Sequence, residues 1–173
     1  DAIEEIEEKG IPRKDLYITT KLWMTDHRTP LKAAKKSLER LRIDYIDQYL
    51  IHWPMNQFNN QTQRYHTHPI YKVWEGMEQC LMKNLVKSIG VSNFNFQSLA
   101  DLSAHARISP TWNQIEMHPY NQQESLMNFC KAVYWCSHGW TCDPRDRDWC
   151  QRAKECAWHG TLPCRPRPTH GMF

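Results

Sequence analysis

Four times in succession, a short run of apolar, β-branched or aromatic residues ends in polar or aromatic side chains and gives way to a helical pattern. Leu16-Tyr17-Ile18-Thr19-Thr20-Lys21-Leu22-Trp23, introduced by Asp15, reads as a strand ending at Lys21. Pro30 then opens a helix with Leu31, Ala34, Leu38 and Leu41 on one face and Lys32, Lys35, Lys36, Glu39 and Arg40 on the other. Tyr45 to Ile51 gives a second strand, closed by His52-Trp53-Pro54, and Tyr71 to Leu85 a helix with Val73, Trp74, Met77 and Leu81 inward. Asn84 stands just past the last turn of that helix, where a residue able to take positive φ is expected. Lys87 to Ser92 is the third strand, Phe96 to His105 the next helix with Leu99 and Leu102 inward, and Trp112 to Glu116 the fourth strand. Gln122 to Cys130 begins one more helix, and residues 2 to 9, with Ile3 and Ile6 ahead of Gly10 and Pro12, read as the end of an earlier one.

Strands that are apolar almost to their C-terminal ends, each followed by a helix, imply parallel pairing through right-handed crossovers. Two architectures satisfy this: a doubly wound sheet, or part of a (β/α)₈ barrel. A doubly wound dinucleotide fold is expected to carry a G-x-G-x-x-G turn, and only Gly10, Gly76 and Gly90 precede residue 133. The barrel is therefore favoured. The chain has 173 residues, and a complete barrel usually needs ~250. The expected fold is α/β, a partial (β/α)₈ barrel of about four consecutive βα units over residues 1–132. Barrel enzymes hold their ligands at the C-terminal ends of the strands, where Ser92 and Asn93 fall. Their hydroxyl and amide both donate and accept hydrogen bonds, which suits a flat polar group such as a carboxamide, although the same residues also suit a helix N-cap. Residues 55 to 69 are polar and aperiodic, and a loop of that length is expected to cover an active site.

The formal net charge is +3 and the sequence pI about 8.5, which gives no argument for nucleic acid as a partner. No apolar run approaches the ~18 residues of a membrane span, and Asp1-Ala2-Ile3-Glu4-Glu5 is acidic where a signal peptide is basic, so a soluble, cytoplasmic protein is expected. Cys80 and Cys130 are the cysteines of residues 1–132, a usage that fits a reducing compartment.

Residues 11 to 131 resemble the aldo-keto reductases. The resemblance is carried by Ile18-Thr19-Thr20-Lys21-Leu22-Trp23, by Asp44-Tyr45-Ile46-Asp47 with Tyr49-Leu50-Ile51-His52-Trp53-Pro54, by Val86 to Asn95, and by Asn113-Gln114-Ile115-Glu116-Met117-His118-Pro119-Tyr120. It implies a barrel that binds NADPH at its C-terminal face and passes hydride to an aldehyde or ketone, with an Asp-Tyr-Lys-His catalytic tetrad. Lys21 matches the lysine, whose charge lowers the pKa of the tyrosine, and His52 the histidine, which orients the carbonyl. Ser92, Asn93 and Gln114 match residues that hold the nicotinamide carboxamide, and Trp23 and Trp53 match walls of the substrate pocket. No metal site is implied.

The same resemblance places the tetrad's aspartate and tyrosine ahead of Asp1, so this stretch by itself is expected to have impaired activity. Residues 133–173 are expected to be an irregular tail: Val133 and Leu162 are its only Val, Ile or Leu residues, while Cys136, Cys142, Cys150, Cys156 and Cys164 crowd it. The close C-x₂₋₄-C pairs of structural zinc sites are missing there, and translation in a shifted frame is the alternative, since Val133 to Ser137 reads as a buried strand in another frame. A non-catalytic half-barrel that self-associates through unpaired sheet edges is the second functional expectation.

Overall fold

The computed structural model describes residues 2–56, 58–59, 64–65, 68–118, 120–132 and 136–139. In chain order these form α1 (Ala2–Glu8), β1 (Thr19–Leu22), α2 (Pro30–Leu41), β2 (Ile46–Ile51), β3 (Phe58–Asn59), β4 (Arg64–Tyr65), α3 (Ile70–Met82), β5 (Val86–Ser92), α4 (Phe96–His105), β6 (Trp112–Ile115), α5 (Glu124–Ala132) and β7 (Cys136–Gly139). Strands β1, β2, β5, β6 and β7 make one sheet in that order, all parallel, with a helix after each of the first four. The α/β partial barrel of four βα units is what the sheet shows, and β7 adds a fifth strand within the segment set apart from residue 133. The remaining tail positions, Cys142, Cys150, Cys156, Cys164 and His159 among them, lie outside the described residues.

The pleat sorts the strand residues into two faces. Leu22, Tyr49, Ile51, Ile89, Val91 and Ile115 join Ala34, Leu38, Val73, Trp74, Met77, Leu99, Leu102 and Leu126 in a core between sheet and helices. Residues in register across a parallel pair share a face, so Lys21, Leu50 and Gly90 form one layer of the opposite, concave face, with Thr19, Gln48 and Ser88 beneath it. Thr19 Oγ1 donates to Gln48 Oε1 at 3.1 Å within the lower layer. Gly90 is required in the upper one: a Cβ there would lie 2.8 Å from both Leu50 Cδ2 and the Trp112 carbonyl oxygen. On the outside, a Cβ on Gly76 of α3 would lie 2.7 Å from Pro30 Cγ at the start of α2.

β1 begins three residues later than its composition suggests: the Ile18 N–H is taken by the Asp47 side chain, and the 3₁₀ turn Arg13–Asp15 lies just ahead. Arg13 donates to the Leu16 and Tyr45 carbonyls and, at 2.7 Å, to Asp47 Oδ2, while its guanidinium stacks 4.1 Å from the Tyr45 ring centre. Asp47 Oδ2 also accepts from the Ile18 N–H at 2.8 Å. One carboxylate thus ties the entrance of β1 to β2. Buried Glu78 does the same on the helix side, accepting from the Arg107 and Ile108 N–H groups at 2.9 Å each. The 55–69 stretch holds the antiparallel pair β3 and β4, and Gln57, Asn60 to Gln63, His66 and Thr67 lie outside the described residues.

Candidate active site

All seven site residues expected from the sequence lie at or just past the C-terminal ends of β1, β2, β5 and β6. Lys21 is the third residue of β1, on the concave face. Trp23 follows β1, and His52 and Trp53 follow β2, whose end is fixed by the His52 N–H donating to the Leu22 carbonyl at 3.1 Å. The His52 ring meets Trp23 edge-on at 4.9 Å between ring centres and stacks on Trp53 at 6.1 Å, with the planes 15° apart. Both indoles remain open to solvent, 45% and 38% exposed, and Met55, two residues after Trp53, is 51% exposed. An apolar rim around an imidazole results.

Burial lowers the His52 pKa below the ordinary histidine value, and the Lys21 charge lowers it further. Both effects favour the neutral ring. Burial also lowers the Lys21 pKa. That Lys21 acts on His52 puts the two side chains within electrostatic reach of each other.

The second half of the site is a hydrogen-bonded knot. Ser92 Oγ donates to the Gln114 carbonyl at 2.9 Å, and the Asn93 N–H donates to the same oxygen at 2.9 Å. Asn93 adopts φ 61°, a left-handed conformation that asparagine tolerates better than most side chains. Its Nδ2 donates to the His52 carbonyl at 2.9 Å and to Ser92 Oγ at 3.2 Å. The helix cap here is Asn95, whose side chain accepts from the Ser98 N–H at 2.9 Å, so Ser92 and Asn93 are released from that duty. Gln114 Oε1 is buried with no hydrogen-bond partner. A buried acceptor without a donor is costly unless a ligand supplies one, and a carboxamide NH₂ is a donor of the right kind. The residues present therefore fit the nicotinamide carboxamide of a bound cofactor.

Three residues that support this site carry no assignment from sequence. Asn113 is 0% exposed and pairs with the Phe94 backbone. Its signal was available: in register with Val91, it puts a polar residue where the alternation of β6 calls for an apolar one. Asp47 and Glu78 bond only to backbone or to Arg13, and periodicity carries no trace of that. Among the described residues no group of three or more His, Cys, Asp or Glu is placed to hold a metal ion, and no helix is long and apolar enough to cross a membrane.

The sequence pattern of the aldo/keto reductase family matches residues 2–137. The chain is 38% identical over 144 residues to an NADP-dependent D-sorbitol-6-phosphate dehydrogenase of Malus domestica, covering 75% of this chain and 46% of that protein. It is 40% identical over 146 residues to aldose reductase B of Dictyostelium discoideum, covering 75% and 47%. The crystal structure of a Bombyx mori aldo-keto reductase in complex with NADP matches it with a TM-score of 0.75 at 34% identity, over 81% of this chain and 46% of that one. The chain thus spans about half the length of the curated relatives it matches. With the family's pattern matching residues 2–137 of 173, the chain belongs to the aldo/keto reductase family.

Proposed function

We propose that this chain carries the nicotinamide-holding and carbonyl-orienting part of an NADPH-dependent reductase that converts aldehydes or ketones to alcohols in the cytoplasm. The observation that carries the reading is the knot joining Ser92, Asn93 and Gln114 to the His52 backbone, with a buried Gln114 oxygen awaiting a donor. NADP-dependence in the name of the Malus relative, and NADP in the Bombyx structure, support the choice of cofactor.

Bound NADPH would supply hydride to the carbonyl carbon. Ser92, Asn93 and Gln114 would hold the carboxamide, while Trp23 and Trp53 wall the substrate side of His52. The neutral His52 ring can present an N–H to the carbonyl oxygen, and the Lys21 charge favours negative charge developing there. Proton delivery is the weak step of this stretch alone. Tyr49 faces the helix core, Tyr45 stacks under Arg13 and Tyr71 against His105, none of them turned to Lys21. A positioned general acid typically contributes ~10²–10⁴ in rate, and none of these three tyrosines supplies one, so slow turnover is proposed for residues 1–173 by themselves.

The test is NADPH titration of the purified chain followed by carbonyl-dependent NADPH oxidation. Gln114→Ala is expected to weaken NADPH affinity by ~10-fold, the size of one good buried hydrogen bond. A chain that binds no NADPH sinks the reading.

A second reading rests on a separate observation: among the described residues, β1 and β7 are the outer strands of the sheet. Edges of this kind promote self-association. A concentration-dependent dimer in sedimentation, with no cofactor affinity, would favour it over reduction.

A further inference from the structure

We infer that Asn113 is a positioning residue for the nicotinamide site, acting through the β5–α4 turn; this rests on the cofactor reading above. Asn113 Nδ2 donates to the Phe94 carbonyl at 2.9 Å, and its Oδ1 accepts from the Phe94 N–H at 3.4 Å. The side-chain amide thus pairs with the main chain of Phe94 in both directions, and both partners are sealed from solvent at 0% and 1% exposure.

Phe94 is the residue directly after Asn93, whose left-handed backbone aims one amide at the Gln114 carbonyl and the other at the His52 carbonyl. Phe94 itself is packed in the core with Leu99 and Leu102 of α4. Pinning Phe94 therefore fixes where Asn93 can point. β6 serves the site from both of its faces: Asn113, in register with core residue Val91, holds the turn from the helix side, and Gln114, in register with Ser92, enters from the concave side. An apolar residue of the same size at 113 would fill the space and leave the Phe94 N–H and carbonyl without partners.

The experiment uses the full chain and compares Asn113→Leu with Met77→Ala, a core substitution in α3. Two quantities are read: amide hydrogen exchange at Asn93 and Phe94 relative to Leu50 and Ile51 of β2, and affinity for reduced nicotinamide mononucleotide, which probes the nicotinamide half alone. Asn113→Leu is expected to speed exchange at Asn93 and Phe94 by ~10-fold or more and to weaken the mononucleotide ~10-fold, the loss expected for one buried hydrogen bond. Met77→Ala is expected to lower the melting temperature without changing mononucleotide affinity. If exchange at Asn93 and Phe94 rises no more than in β2, or if Asn113→Leu binds the mononucleotide as the unsubstituted chain does, the positioning role is overturned. If the unsubstituted chain binds no mononucleotide, the cofactor reading falls and this inference with it, a result distinct from loss in the variant alone. Should Asn113→Leu fail to fold, Asn113→Asp, which keeps the acceptor for the Phe94 N–H, gives the same comparison.

Discussion

His52 sits between two indoles and within reach of the Lys21 charge, and both surroundings push its ring toward neutrality. Lys21→Met removes the electrostatic half of that pressure, so the His52 pKa is expected to rise, which proton NMR of the imidazole would read directly. An unchanged His52 titration would mean that Lys21 does not act on the ring. The same substitution is expected to abolish any residual carbonyl reduction. At this scale the sequence was informative where family motifs mark strand ends: Lys21, His52, Ser92, Asn93 and Gln114 all arrive at one face. It was silent where a polar side chain serves only the backbone. Asn113 and Glu78 read as interruptions of apolar patterns until their partners at Phe94, Arg107 and Ile108 are seen. Truncating Glu78 to Ala leaves two N–H groups without their acceptor and is expected to cost about 2–3 kcal/mol, measurable by urea unfolding.

Between elements, register is what brings these residues together. Lys21, Leu50 and Gly90 lie side by side because β1, β2 and β5 pair in parallel without a bulge in their registered residues. Gly90→Ala would drive a methyl into the Trp112 carbonyl, so a loss of about 1–3 kcal/mol is expected, with the β5–β6 pairing most affected. Asp47→Ala removes the acceptor shared by Arg13 and the Ile18 N–H; the pair is only part-buried, which points to about 2 kcal/mol rather than the full cost of a buried ion. Denaturant midpoints of the two variants check both figures. Helices were legible because their apolar stripes are regular: Phe96–His105 agrees with its pattern residue for residue, and Asn84 takes φ 56° as its place past α3 suggests. The start of β1 was not, since the Ile18 N–H goes to the side chain of Asp47, 29 residues away in the chain. Nor was the antiparallel β3–β4 pair, whose strands of two residues each are too short to show a period.

For the molecule as a whole, three histidines share one direction. Burial is the largest influence on the pKa of His27, His52 and His68, and it lowers all three. The native state therefore binds fewer protons than the unfolded chain, whose histidines titrate near ~6.5. Stability is full above that value and is lost as pH falls through the lowered native values. The melting temperature is expected to drop between pH 7.5 and pH 5.5, and His27→Gln to flatten that slope; a pH-independent melting temperature would contradict the burial of these rings. The partition of the sheet into two faces has a further consequence, in what kinds of mutation the chain can inherit. Inserting or deleting one residue within β5, Val86–Ser92, would exchange Ser92 for its apolar neighbour Val91 and turn the hydroxyl that bonds the Gln114 carbonyl into the core. Residues 55–69 obey no such parity, since they join the main sheet at neither end. Lineages descended from such a chain can lengthen or shorten that segment, while the strands that carry Ser92 and Gln114 accept substitution but not a change of length.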